Sequence, residues 1–175
     1  MELDLLDSIP ETRELPAGYE LVEYSEDLVR EHAQAKFLSF QSELDANVFP
    51  CLGKRDGCLK LMREIVSRAT FVPEATWLAR YRSPAGGRLQ SIGTIQGMQA
   101  EGWGAVQNIG IAPEHRGRGL GSILIAAAAG GFREIGLNRM HLEVTSDNSA
   151  AVRLYERLGF KRARVLYKAA DLAGV

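Results

Sequence analysis

The sequence predicts an α/β domain of the α+β type, with a mixed, mostly antiparallel sheet, a splayed parallel strand pair and about four flanking helices. Three observations carry that expectation. Strand-like runs at Thr76 to Arg82, Gln90 to Met98 and Gly104 to Ile111 follow one another through short turns, the first reading "SPAGG", as an antiparallel meander requires. After Ile111 the pattern becomes glycine-rich loop, helix and strand, a crossover that leaves its two strands parallel. The polar pair Gln107-Asn108 interrupts the third run, and a bulge there would splay that strand from its parallel neighbour.

Each element has its own reason. Residues 1–18 mix Leu3, Leu5, Leu6 and Ile9 with five acidic side chains and two prolines, and are read as an N-terminal arm, loose or docked as a short helix. Residues 19–175 are read as one domain, since a chain of 175 residues has core enough for one. Tyr19 to Tyr24 alternates as a strand does, and Val29, Ala33, Phe37 and Phe40 recur at helical spacing. A loop with Asp45, Pro50, Gly53 and Gly57 leads to a second amphipathic helix marked by Cys58, Leu61, Met62, Ile65 and Ala69. The third helix is expected from about Leu120 to Ile135, followed by a strand from Arg139 to Thr145. The fourth helix runs from about Asn148 to Leu158, closed by Gly159, and Lys161 to Lys168 returns as a final strand.

Composition sets the bounds on function. With 46% hydrophobic and 25% charged residues and a net charge of -1, the chain is a globular protein with no general attraction for nucleic acid. Its longest apolar run, Ile123 to Phe132, is far short of the roughly 20 residues a membrane helix needs. No basic-then-apolar leader opens it, and a cytoplasmic location without membrane partners is the default. Cys51 and Cys58 match neither a zinc spacing nor a disulfide framework and are read as idle or buried thiols, with no metal.

The loop in "IGIAPEHRGRGLGSILI" carries the chemistry. Arg116-Gly117-Arg118-Gly119-Leu120-Gly121 and Ser122 place side-chain-free backbone at a helix start, where unpaired N–H groups and the helix dipole attract anions. Arg116 and Arg118 add forked donors suited to phosphate oxygens. A dinucleotide fingerprint starting at Gly117 would need glycine where Ser122 stands, and no lysine followed by Ser or Thr completes a P-loop. A plain glycine-rich turn with solvated arginines stays open for the hexapeptide alone. Gly110, between Ile109 and Ile111, marks a close approach by a ligand or another backbone.

The hexapeptide "RGRGLG", together with "LEVTSDNSAAVRLYERLGF" from Leu142 to Phe160 and the element order, resembles the GNAT superfamily of acyl-coenzyme A dependent N-acetyltransferases. The two blocks span about residues 104 to 160. The resemblance implies the GNAT fold with the splayed pair at the centre of the sheet, acetyl-CoA as acyl donor and an amine as acceptor. It maps the pantetheine arm onto the backbone of Ile109, Gly110 and Ile111, and the diphosphate onto Gly117 to Ser122. It also places a coenzyme contact at Asn148, a residue that equally suits a helix N-cap.

For proton transfer the same resemblance implies Tyr155 as the acid that protonates the departing thiolate. Ala151, Leu154, Tyr155 and Leu158 also form an ordinary core stripe. Glu143 is the choice of base, on the polar face of "MHLEVT" with His141 and Thr145, at the place where the ribosomal-protein alanine acetyltransferase branch carries a glutamate. A solvated carboxylate is the plain alternative, and Gln107, Asn108 and Glu101 are reserves. His115 abuts the loop and is assigned to phosphate or solvent. Residues 41–57, with Phe49, Leu52, Lys54 and Arg55, are expected to wall the acceptor side. The expected activity is direct acetyl transfer to a primary amine, leaning to a peptide or protein amine. A polyamine or aminoglycoside acceptor and a non-catalytic acyl-CoA sensor are the alternatives. Oligomeric state is left open, a homodimer included.

Overall fold

The structure is a computed structural model that describes residues 1–6, 10, 13–41 and 50–163. Six strands, β1 (Glu2–Asp4), β2 (Tyr19–Glu23), β3 (Phe71–Tyr81), β4 (Gln90–Ala100), β5 (Trp103–Ile111) and β6 (Arg139–Leu142), form one sheet in the order β1-β6-β5-β4-β3-β2. Among the described residues four α-helices accompany them: α1 (Val29–Phe40), α2 (Arg55–Val66), α3 (Leu120–Glu134) and α4 (Ser149–Arg157). The expected meander is present as β3, β4 and β5, antiparallel in sequence. The β5-α3-β6 crossover gives a parallel pair, the one such pair among the described residues.

Side-chain alternation gives the sheet two unlike faces. Gly97 and Gly104 point at the Phe132 ring, where a Cβ on either glycine would come within 3.1 Å and 2.6 Å of it. At Gly131 the helix backbone nearly touches β3, and a Cβ there would lie 1.9 Å from the Glu74 carbonyl oxygen. Small residues therefore let α3 lie directly on the sheet, and an apolar core closes around Ala75, Ile95, Leu124, Ala128 and Phe132. The opposite face belongs to α1, and it is polar. Lys36 donates to Gln96 Oε1 at 2.7 Å, Gln96 Nε2 donates to Thr94 Oγ1 at 2.5 Å, and Thr94 Oγ1 bonds His32 Nδ1 at 2.8 Å. All four side chains are fully buried.

Three expectations change. Residues 2–4 are neither a loose arm nor a helix. They form an edge strand antiparallel to β6, and Glu2 also pairs with Lys161. β3 starts at Phe71, five residues before the expected Thr76, because a register shift between Val72 and Trp77 hides its alternation. β6 ends at Leu142, not Thr145. The segments 42–49, with Phe49, and 164–168 of the expected final strand lie outside the described residues.

Candidate active site

β5 stays paired with β6 only through Gly104–Met140, Ala105–His141 and Val106–Leu142, yet it runs on to Ile111. The divergence begins at Gln107. That residue is extra in the β4 ladder, where Gln96 faces Asn108 but Gly97 faces Val106, so the bulge falls where the polar pair predicted it. Beyond the bulge β5 keeps β4 on one side and, among the described residues, has no strand partner on the edge that faces the splay. Ala112 N–H donates to the Ile92 carbonyl at 2.7 Å, which makes that pair hydrogen-bonded and fixes the alternation behind it. Ile109 and Ile111 consequently direct their N–H and C=O away from β4 toward the splay, where the Ile111 carbonyl is taken by Arg116, whereas Gly110 turns its own toward β4.

Gly110 answers a different need. A Cβ there would sit 2.6 Å from Ser39 Cβ and 2.9 Å from the Phe40 ring, so its missing side chain admits α1 against β5. A close approach is present, but the groups that make it are the Ser39 and Phe40 side chains of α1, where a ligand or another backbone was expected.

The loop after β5 feeds α3. Gly117 and Gly119 have φ of 73° and 80°, a left-handed geometry that side chains other than glycine, Asn and Asp rarely adopt. Added Cβ atoms at either would meet nothing within 4 Å, so these glycines serve backbone conformation and an open surface. Gly121 is different: its Cβ position lies 3.3 Å from Leu154, which brings α4 beside the start of α3. The helix leaves the first-turn amides of Leu120, Gly121 and Ser122 without intrahelical acceptors, at the positive end of a 15-residue dipole.

The two arginines divide the work. Arg116 donates from Nε to the Ile111 carbonyl and from Nη2 to the Ser39 carbonyl, both at 2.9 Å, tying the loop to β5 and to α1. It is therefore a tether as well as a charge. Arg118 is exposed, makes a long 3.5 Å contact from Nη2 to the Glu114 carbonyl, and holds its guanidinium at the loop surface. His115 does not face solvent alone. It shares a 2.8 Å hydrogen bond with Tyr19 Oη and packs its ring against Tyr19 and Tyr81. Burial and the Arg118 charge push its pKa below the ordinary histidine value.

Tyr155 is 6% exposed and lies in the main core with Leu120 and Phe160, one residue from the Leu154 that touches Gly121. Asn148 is the N-cap of α4, its side-chain oxygen accepting from Ala151 N–H at 3.2 Å. Glu143 stands one residue past β6, exposed, at the point where the parallel strands part. It is not on a strand face as the alternation implied. Of the reserves, Gln107 is exposed, Glu101 sits in the β4–β5 turn at the far end of β5, and Asn108 Nδ2 is buried without a hydrogen-bond partner. Leu52 is buried under α1 and α2, and Arg55 lies over the Phe37 ring at 4.5 Å. Cys58 is buried with its thiol pushed up to about 11 by burial, and Cys51 is exposed.

Among the described residues no group of three or more His, Cys, Asp or Glu side chains is placed to hold a metal ion. No helix among them is long and apolar enough to cross a membrane.

Residues 71–160, from β3 to the end of the α4 block, match the family described as "Acetyltransferase (GNAT) family". The chain belongs to the GNAT acetyltransferase family. A mycothiol acetyltransferase of Actinosynnema mirum is 47% identical to it over 62 residues, 35% of this chain and 21% of that protein, so the match spans about a fifth of the relative's length. Among solved structures, the GCN5-related N-acetyltransferase of Sphaerobacter thermophilus superposes with a TM-score of 0.63 and 23% identity over 90% of this chain and 45% of that one. The aminoglycoside N-acetyltransferase AAC(6')-Iy, in complex with CoA, gives a TM-score of 0.62 with 16% identity over 87% of this chain and 95% of that one. At these identities the two superpositions establish the GNAT fold, with its splayed strands and helix-capped loop.

Sequence reasoning missed the buried seam of His32, Lys36, Thr94 and Gln96 and the tethers at His115 and Arg116. The seam had a signal, because His32, Lys36 and Ser39 recur at i, i+4 and i+7 as evenly as the apolar stripe beside them.

Proposed function

We propose that this GNAT protein moves an acetyl group from acetyl-CoA to a primary amine by direct attack in a ternary complex, with a peptide or protein amine as the acceptor favoured. The observation that carries the reading is the continuity of one backbone surface. The open edge of β5 at Ile109 and Ile111 leads into a loop whose left-handed glycines expose the amides at the start of α3. An extended amide-bearing arm ending in a diphosphate fits that sequence of groups: strand edge for the arm, helix start and Arg118 for the phosphates. CoA in the AAC(6')-Iy complex agrees with the reading.

In the proposed reaction the amine nitrogen attacks the thioester carbon, and the Ile109 N–H, aimed into the splay, stabilises the oxyanion that develops. Glu143, at the mouth of the splay, takes the proton from nitrogen directly or through water. As the carbon–sulfur bond breaks, Tyr155 gives its phenolic proton to the sulfur, and α4 holds that residue beside the start of α3. Asn148 caps α4 through its amide oxygen, and in this reading its amide nitrogen donates to the coenzyme.

Release of CoA thiol from acetyl-CoA, followed across peptides, polyamines, amino acids and aminoglycosides, tests the reading. Turnover with at least one amine class is expected, falling about 10²-fold or more in both Tyr155→Phe and Glu143→Gln. Full-rate turnover in the double variant would remove both residues from the chemistry. Tight acetyl-CoA binding without turnover on any amine would make the protein an acyl-CoA sensor.

A further inference from the structure

The loop between β5 and α3 is held from two sides. On the α1 side Arg116 bonds the carbonyls of Ile111 and Ser39. On the other, His115 reaches across the end of the sheet to the first residue of β2. His115 Nδ1 and Tyr19 Oη share a hydrogen bond of 2.8 Å between residues 96 positions apart in the chain. The His115 ring meets Tyr19 edge-on with centroids 5.7 Å apart and lies 4.9 Å from the Tyr81 ring. Tyr19 and Tyr81 are themselves register partners across β2 and β3, with centroids 4.6 Å apart, so the platform under the histidine is fixed by the sheet.

Immediately after these anchors come Gly117 and Gly119, whose surroundings contain nothing within 4 Å of a side-chain position. Glycines in open space lose more conformational freedom on ordering than other residues, and here no packing of their own holds them. On the C-terminal side the loop is held by the start of α3, where the Gly119 carbonyl accepts from Ile123 N–H at 3.1 Å, and on the N-terminal side what keeps its amides aimed outward acts through His115 and Arg116. Arg118, between the two glycines, is near enough to Tyr19 for its charge to act on the phenol.

We propose that the Tyr19–His115 pair, backed by Tyr81, is a brace that pre-orders the diphosphate-binding loop, making Tyr19 and His115 positioning residues for the acyl donor. The inference rests on the assignment of CoA to this loop. Its consequence is specific to one substrate, since a loosened loop must be ordered at the moment CoA binds and affinity falls by that amount. Tyr19 and Tyr81 lie on β2 and β3, three and two strands away from β5 and its splay, so the brace is expected to act on the donor and not on the amine.

The test is isothermal titration of the full chain with CoA, together with steady-state kinetics on whichever amine turns over. Tyr19→Phe keeps the ring stack and deletes one hydrogen bond, and is expected to raise both the CoA Kd and the KM for acetyl-CoA about 3- to 10-fold. Little change is expected in kcat or in the amine KM. His115→Ala should act in the same direction and further, while His115→Asn, which keeps a polar atom near the position of Nδ1, should recover part of the loss. Unchanged CoA affinity in Tyr19→Phe, or a loss spread equally over kcat and both KM values, overturns the brace. If His115→Ala unfolds, Tyr19→Phe alone decides. A wild-type protein that fails to bind CoA overturns the assignment of the loop and the brace with it; wild-type binding with indifferent variants overturns only the brace.

Discussion

The two faces of this sheet solve the same packing problem by opposite means. Against α3 the protein removes side chains. Gly97, Gly104 and Gly131 vanish at the contacts, and the helix backbone comes down onto β3 with apolar residues sealing the remainder. Against α1 it buries polar groups and pairs them, Lys36 to Gln96, Gln96 to Thr94 and Thr94 to His32. An apolar contact depends on volume and tolerates few changes in shape, whereas a polar seam depends on every partner being present and on proton occupancy. The α3 face should therefore fail by steric overpacking and the α1 face by pH.

The largest expected effect is on the α3 face. Gly131→Val would drive a side chain into the Glu74 backbone, already 1.9 Å from the Cβ position, and neither strand nor helix backbone can step aside cheaply. A loss of about 3 kcal/mol or more of unfolding free energy in urea is expected. A near-neutral result would mean that α3 rides higher on the sheet than the close approach implies.

The second effect belongs to the seam and is read against pH. Burial lowers Lys36 to about 7, the nearby Cys58 and Cys51 thiols opposing it, against an ordinary value of 10.5. Between those two values the unfolded chain carries a proton on this lysine that the native chain sheds, so stability rises with pH, by at most about 1.4 kcal/mol per pH unit from this group. Between pH 7 and about pH 8, below the ordinary thiol value, wild-type stability should climb and Lys36→Met should stay flatter. Parallel curves would return Lys36 to an ordinary, charged role. His32 acts on the acid side. Burial first, then the Lys36 and Arg80 charges, lower it to about 3 from 6.5, so its contribution is present above pH 6.5 and drains away as pH falls toward 3.

The smallest effect separates members of the seam from bystanders. Ser39 Oγ donates to the Ala35 carbonyl at 2.7 Å, a bond that stays within α1. Ser39→Ala is expected to change stability by about 1 kcal/mol or less and to leave the pH profile alone. A pH-dependent loss would extend the seam to Gly110 and the splay.

Much of the architecture was legible because local rules acted alone. The β3–β4–β5 meander follows from alternation and short turns, and the crossover from the order of loop, helix and strand. The bulge at Gln107 follows from two polar residues where alternation should have continued. The strand β1 was not legible, because three residues beside β6 carry no periodicity of their own and are a strand only through their partner. Helix α1 shows a subtler limit. Its apolar stripe of Val29, Ala33, Phe37 and Phe40 identified the helix, yet that stripe packs on α2, and the sheet receives His32, Lys36 and Ser39 instead. Periodicity reports that a face exists without saying what it will meet.

The candidate site divides along the same line. Sequence by itself determined the glycine-rich helix start, its two arginines, the cap at Asn148 and the splay, because each depends on backbone conformation that a residue and its near neighbours impose. Tertiary structure decided the rest. It turned Arg116 into a tether to Ser39, tied His115 to Tyr19 and set Glu143 past the end of β6. It also gave Gly110 to α1 and aimed Ile109 and Ile111 into the open edge. Those outcomes join positions far apart in the chain, and only the folded arrangement of sheet and helices brings such groups within hydrogen-bonding reach.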